Sequence, residues 1–147
     1  MTIRPRRSVL YMPGANERAL EKARSLPVDS IILDLEDSVA PDAKPEARAR
    51  VAAAVKSGAY GGRELVIRIN GLDTPWGVDD LKAAAAAGPH AVLVPKVARP
   101  GDIVNAARIF AARSWDCSLP TRTNWTCAIP TRPSASVPGA GSTSWAI

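Results

Sequence analysis

The run Ile31-Ile32-Leu33-Asp34-Leu35-Glu36-Asp37 constrains this chain more than any other stretch, because an apolar strand ends there in three acids within four residues. Taking a carboxylate out of water costs several kcal/mol unless a cation or hydrogen-bond donors meet it. A buried strand finishes this way only where the acids have a partner, so its end is the first candidate for an active-site wall. Alternation along the strand places Ile32, Asp34 and Glu36 on one face.

The surroundings repeat one pattern. Strands are expected over residues 8–12, 30–35, 65–69 and 91–94, each followed by a loop and a helix. The first helix starts at Asn16 as N-cap, with Glu17 in its first turn, and runs through Leu20 and Ala23. The second begins near Pro45, a good first helical residue, and sets Ala47, Val51 and Val55 on one face. Helices over 78–87, closed by Gly88, and over 102–112 complete four βα units. Such units form a parallel sheet with helices outside, either doubly wound or a (β/α)8 barrel. Matching the faces puts Val66, Arg68 and Asn70 of the third strand, and Val92, Val94 and Lys96 of the fourth, alongside Ile32, Asp34 and Glu36. Each strand then starts apolar and turns polar at its C-terminal end, as a barrel with its site at the mouth requires. A doubly wound sheet also works at those ends but more often has a phosphate loop, and Gly61-Gly62 precedes a strand instead of opening a helix. The expected fold is α/β, the N-terminal half of a (β/α)8 TIM barrel with an irregular C-terminal tail.

The grammar changes after Ala112. The remainder holds both cysteines, three of the four tryptophans, no lysine and one acid, Asp116, among Ser, Thr, Pro and Arg. Two readings stand: a flexible tail too polar to offset its ordering entropy, or translation in a shifted frame or a mis-called gene end, which the Trp and Cys content favours. The domains are thus a partial barrel over 1–112 and an irregular tail over 113–147. Cys117 and Cys127 lie at no metal-ligand spacing and read as free thiols. No apolar stretch is long enough for a membrane span, and the short run after Arg4, Arg6 and Arg7 stops at Pro13-Gly14, so a cytoplasmic protein is expected. The net charge of +5 is spread among interleaved acids, which reads as a solvated surface and not a nucleic-acid stripe.

Four ordered motifs carry a family resemblance: Arg7-Ser8-Val9-Leu10-Tyr11-Met12-Pro13-Gly14, Leu33-Asp34-Leu35-Glu36-Asp37-Ser38-Val39-Ala40 with Lys44 and Arg48 after it, Val66-Ile67-Arg68-Ile69-Asn70-Gly71, and Val94-Pro95-Lys96-Val97. Over residues 5 to 112 the chain resembles the HpcH/HpaI aldolases and citrate lyase beta subunits, which include citryl-CoA and malyl-CoA lyases. The resemblance implies a Mg2+-dependent carbon-carbon lyase acting on a CoA thioester of a hydroxy dicarboxylic acid. Such chemistry needs a cation for the keto acid, a fixed positive group for its carboxylate, and stabilisation of the thioester enolate. By the resemblance Arg68 is the carboxylate clamp, a role that suits a planar, always-charged guanidinium. Glu36 and Asp37 become the acids that hydrogen-bond the metal's waters or the arginine, while the direct metal ligands belong to later strands that this chain lacks. Asn70 and Lys96 are assigned to substrate binding, and Pro13, Gly14, Lys44 and Arg48 to the region approaching CoA. The family also implies a trimer-like homo-oligomer.

Plainer readings stand beside these. Arg68 can neutralise Asp34 or Glu36 as a structural ion pair, Asp37-Ser38 can form a turn or cap, and Lys96 can be a solvated strand end; His90 reads as a loop residue. As a half-barrel the chain is expected to leave the edges of its first and fourth strands unpaired and to be inactive alone. The alternative function is a non-catalytic half-barrel that binds or dimerises through those edges. Re-sequencing through the codons around Ala112 separates the tail readings: a frame that resumes strand and helix grammar, with a strand-end glutamate and a later aspartate, marks the tail as a shifted frame, and empty frames mark a true fragment.

Overall fold

The computed structural model describes residues 6–114 and 145–146. Strands β1 (Val9–Pro13), β2 (Ser30–Asp34), β3 (Glu64–Arg68) and β4 (Ala91–Val94) alternate with helices α1 (Glu17–Ala23), α2 (Lys44–Lys56), α3 (Gly77–Ala87) and α4 (Pro100–Ser114). The strands are parallel and lie side by side in chain order, the arrangement of the N-terminal half of a (β/α)8 barrel. Every expected element is present, with its ends displaced by at most two residues. Much of the expected tail, residues 115–144, lies outside the described residues.

Local chemistry explains the helix ends. Asn16 Oδ1 accepts from the Ala19 N–H at 3.0 Å and caps α1. A 3₁₀ turn (Pro41–Ala43) leads into α2, whose first turn holds Pro45. Gly88, at φ 72°, supplies the left-handed residue that ends α3.

The two sheet faces differ in cover. The helix-facing side carries Ile31 and Leu33 at 0% exposure, with Leu65, Ile67, Val92 and Val94 also buried. Leu20, Ala23, Ala47, Val51, Leu81, Ala84 and Ala106 pack against them, so the core lies between sheet and helices. Val55 is only partly buried, and Ala54 takes the deeper place on α2. The inner face carries Val9, Tyr11, Ile32, Val66, Ala91 and Leu93, and on β1 it is open, with Val9 and Tyr11 each 50% exposed.

Two expectations need correction. Asp34 pairs with Arg68 across β2 and β3 as the alternation predicts, but Arg68 pairs with Leu93, so Val92 and Val94 face the helices and Ala91 and Leu93 face inward. Both sets are apolar, and a one-residue shift of register exchanges the faces without leaving a mark in the sequence. The outer edge of β4 is also not bare: β5 (Trp145–Ala146) pairs with it antiparallel, Leu93 to Ala146 and Val94 to Trp145. No helix among the described residues is long and apolar enough to cross a membrane.

The loop after β1 is tight. The Gly14 N–H donates to Asp34 O at 2.8 Å, and a Cβ at Gly14 would lie 2.7 Å from both that oxygen and Val51 Cγ2. Gly14→Ala is expected to cost about 1–3 kcal/mol of stability in urea unfolding, the range for forcing one methyl into a packed site.

Candidate active site

Arg68 closes β3 on the inner face, and three acids from the end of β2 converge on it. Its Nε and Nη2 donate to the two oxygens of Asp34, each at 2.7 Å, a bidentate pair across adjacent strands. Its Nη1 turns outward, 3.3 Å from Glu36 Oε2 and 3.2 Å from Asp37 Oδ2. The Tyr11 ring of β1 stands beside the guanidinium, 5.1 Å from Cζ to ring centroid, in cation–π range. Hydrogen bonding to Asp34, ahead of the opposing effect of burial, raises the Arg68 pKa well above its ordinary value. Burial pushes Asp34 the other way, but hydrogen bonds from Arg68, Ser38 and the Glu36 N–H outweigh it, and the carboxyl is held below its usual range.

Lys96 joins this group by an unusual route. Alternation along β4 would turn it from the inner face, yet its backbone sits at φ 54°, the positive-φ non-glycine residue of the described chain. That left-handed turn re-aims the side chain, and Nζ comes 2.9 Å from Glu36 Oε1. Hydrogen bonding to Glu36, then its charge, raises the lysine pKa. A cleft opens beside Lys96, lined by Leu72, Asp73, Val97 and Arg99.

The other sequence-chosen residues lie behind the site. Lys44, expected near CoA, is 5% exposed, and its Nζ donates to Leu35 O, Glu36 O and Asn70 Oδ1 at 2.7–2.9 Å. Those three bonds use all the donors of an ammonium, and burial lowers the lysine pKa. Asn70, expected to bind substrate, is 3% exposed, with Nδ2 donating to Leu35 O and Asp80 Oδ2. Arg48 donates through Nε to Asp80 Oδ1 at 2.6 Å. These contacts turn Lys44, Asn70 and Arg48 toward a buried frame under the acidic loop and away from the mouth. Pro13 pairs in register with Asp34, and Gly14 anchors the loop beside it. His90 is distant from Arg68 along β3: its Nδ1 accepts from the Leu65 N–H at 3.0 Å.

Asp34 is one of the three acids that end its strand, and alternation puts it on the inner face. Two other members carry no site signal of their own. Tyr11 stands only inside a motif. Asp80, at 0% exposure, looks in the sequence like one of two acids opening a helix and gives no sign of burial.

The arrangement suits the capture of a carboxylate. Asp34 fixes one edge of the guanidinium, and Nη1 with Lys96 Nζ stands at the C-terminal end of the sheet, where barrel sites form. It does not suit a metal by itself: among the described residues no group of three or more His, Cys, Asp or Glu is placed to hold one, and Glu36 and Asp37 face cations.

The lowered Asp34 pKa links this pair to acid stability. Its contribution is complete above the ordinary carboxyl value of 3.8 and is lost as pH falls through the lower folded-state value. Asp34→Asn, which leaves Arg68 without its bidentate partner, is expected to lower stability near neutral pH by about 3 kcal/mol. It should also flatten the acid limb of a urea-stability profile below about pH 4; an unchanged profile would show that the pair adds nothing to folding.

The matches to known proteins take in the four βα units, and the family model runs on to residue 132, past the 5–112 over which the motifs carry the resemblance. The family model for HpcH/HpaI aldolase/citrate lyase fits residues 7–132. A (3S)-malyl-CoA thioesterase of Cereibacter sphaeroides (strain KD131 / KCTC 12085) is 52% identical over 99 residues, 67% of this chain and 35% of that protein. The citrate lyase subunit beta of Escherichia coli (strain K12) is 39% identical over 102 residues, 69% of this chain and 34% of that protein. Among solved structures, CitE from Mycobacterium tuberculosis in complex with magnesium, acetoacetate and coenzyme A matches with TM-score 0.58 and 29% identity, over 70% of this chain and 38% of that one. The chain therefore spans about a third of the length of the curated relatives it matches. With its parallel βα units and a motif at the end of each inner strand, the chain belongs to the HpcH/HpaI aldolase/citrate lyase family.

Proposed function

We propose that residues 1–112 supply the carboxylate-gripping part of a carbon-carbon lyase that acts on a CoA thioester of a hydroxy dicarboxylic acid, of the citryl-CoA or malyl-CoA kind. The observation that carries this is the posture of Arg68. Asp34 binds its Nε and Nη2 and leaves Nη1 at the open end of the sheet, so the guanidinium is oriented before any ligand arrives. A fixed cation of this kind holds a substrate carboxylate while the bond beside the carbonyl breaks, and no ordering is needed at that moment. Tyr11 shields one side of the guanidinium, and Lys96 adds a second positive charge.

Magnesium enters this reading through the M. tuberculosis complex. The acids described here do not form a direct ligand set, and no step is assigned to the metal.

The identity to a (3S)-malyl-CoA thioesterase favours a second reading, in which the same clamp serves hydrolysis of the thioester instead of carbon-carbon cleavage. Products separate the two: hydrolysis of malyl-CoA yields malate and free CoA, whereas cleavage yields acetyl-CoA and glyoxylate.

Two outcomes test the proposal. The 147-residue chain alone is expected to show neither activity above background, and turnover would overturn the view that it is only part of the machinery. Arg68→Lys, which keeps the charge but loses the fork, is expected to weaken oxaloacetate binding in calorimetry by about tenfold or more. Equal affinity would remove Arg68 from the clamp role.

A further inference from the structure

The carboxylate of Glu36 lies between the two cations of the mouth. Oε2 faces Arg68 Nη1 at 3.3 Å, and Oε1 faces Lys96 Nζ at 2.9 Å. The Glu36 side chain is 8% exposed and that of Lys96 65%, so the acid sits beneath a cation that reaches in from solvent. One oxygen on a guanidinium and the other on an ammonium is how two cations seat a carboxylate. Lys96 stands here with a left-handed backbone, which is unfavourable for any residue with a Cβ. That strain has a physical account if the lysine must stand opposite Arg68. A solvated strand end would need neither the strain nor the aim.

The neighbours divide into those that stay and those that can leave. Asp34 holds Nε and Nη2 at 2.7 Å and is buried, so it remains in place. Asp37 touches the same Nη1 at 3.2 Å but is 67% exposed and can turn to water. Asp73 adds negative potential near Lys96. Glu36 is the acid whose two oxygens span both cations.

We infer that Arg68 Nη1 and Lys96 Nζ form a two-cation seat for a carboxylate, that Glu36 is its resident internal occupant, and that an incoming dicarboxylate binds by displacing it. This rests on the reading of Arg68 as a carboxylate clamp and adds a second cation and a competitor. It has an unusual sign: removing a buried acid from the site raises affinity for an anion. An acid that holds the substrate gives the opposite result, and loss of repulsion alone would tighten binding in Glu36→Gln but not in Glu36→Asp, which keeps the charge.

The test is calorimetric titration of the 147-residue chain with malonate at low ionic strength, with circular dichroism to check the fold of each variant. Glu36→Gln is expected to bind malonate about tenfold more tightly than the parent, and Lys96→Met about tenfold more weakly. Glu36→Asp keeps the charge but is one methylene too short to span both cations, so it too should bind more tightly, and it stands in if the glutamine variant unfolds. Unchanged or weaker binding by the folded Glu36 variant overturns the displacement. If that occurs while Arg68→Lys still abolishes malonate binding, the clamp survives and only the internal occupant falls. If malonate binds none of the proteins, or binds the parent and Arg68→Lys alike, both fall.

Discussion

The two hydrogen bonds that Arg68 donates to Asp34 hold together everything at the mouth of the sheet. They cross from β3 to β2 at the paired positions that end both strands, on the face that lacks helices. A buried carboxylate and a partly buried guanidinium are each costly to desolvate, and each is tolerated because the other is there with matching geometry. The pair therefore fixes the strand ends, and the outward edge of the guanidinium follows from it. Structural ion pair and carboxylate clamp are then compatible roles for one residue, since Asp34 takes one edge of the fork and leaves Nη1 for another partner.

Behind the pair, a second polar layer holds the acidic loop in place. Lys44 reaches from the first turn of α2 to the carbonyls of Leu35 and Glu36, and Asn70 bridges it to Asp80, which also takes Arg48. No buried side-chain nitrogen or oxygen among the described residues lacks a hydrogen-bond partner. A fully satisfied network of this kind rigidifies the elements it joins. The loop that carries Glu36 and Asp37 is tied from behind by main-chain contacts, so its acids can meet cations in front.

The sheet's asymmetry matches its place in a barrel. The helix-facing side is sealed by aliphatic packing, while the inner side is half-open at β1 and ends in charge. In a closed barrel that inner face meets side chains from the remaining strands, and the charged ends form the rim where sites are built. The proposed two-cation seat lies on that rim, with one cation from β3 and the other just past β4.

Much of this was legible in the residues, because periodicity and punctuation act locally. Four apolar runs, Asn16, Pro45 and Gly88 specified four βα units, and the acids closing β2 marked the functional end of the sheet before any contact was known. Alternation correctly set Asp34 beside Arg68. The β4 face was not legible, because Ala91 and Leu93 are as apolar as Val92 and Val94 and register depends on the neighbouring strand. Nor could the sequence show that Lys44 and Asn70 are buried behind the site while Lys96, with a left-handed backbone, meets Glu36 at its mouth. Those choices are long-range: the acceptors that these cations find include side chains 26 and 34 positions away, Asn70 for Lys44 and Asp34 for Arg68. The sequence by itself determined the elements, their order and the end of the sheet that carries charge. Only the tertiary structure decided which charges meet, because pairing in a low-dielectric interior is set by three-dimensional distance and desolvation, not by spacing along the chain.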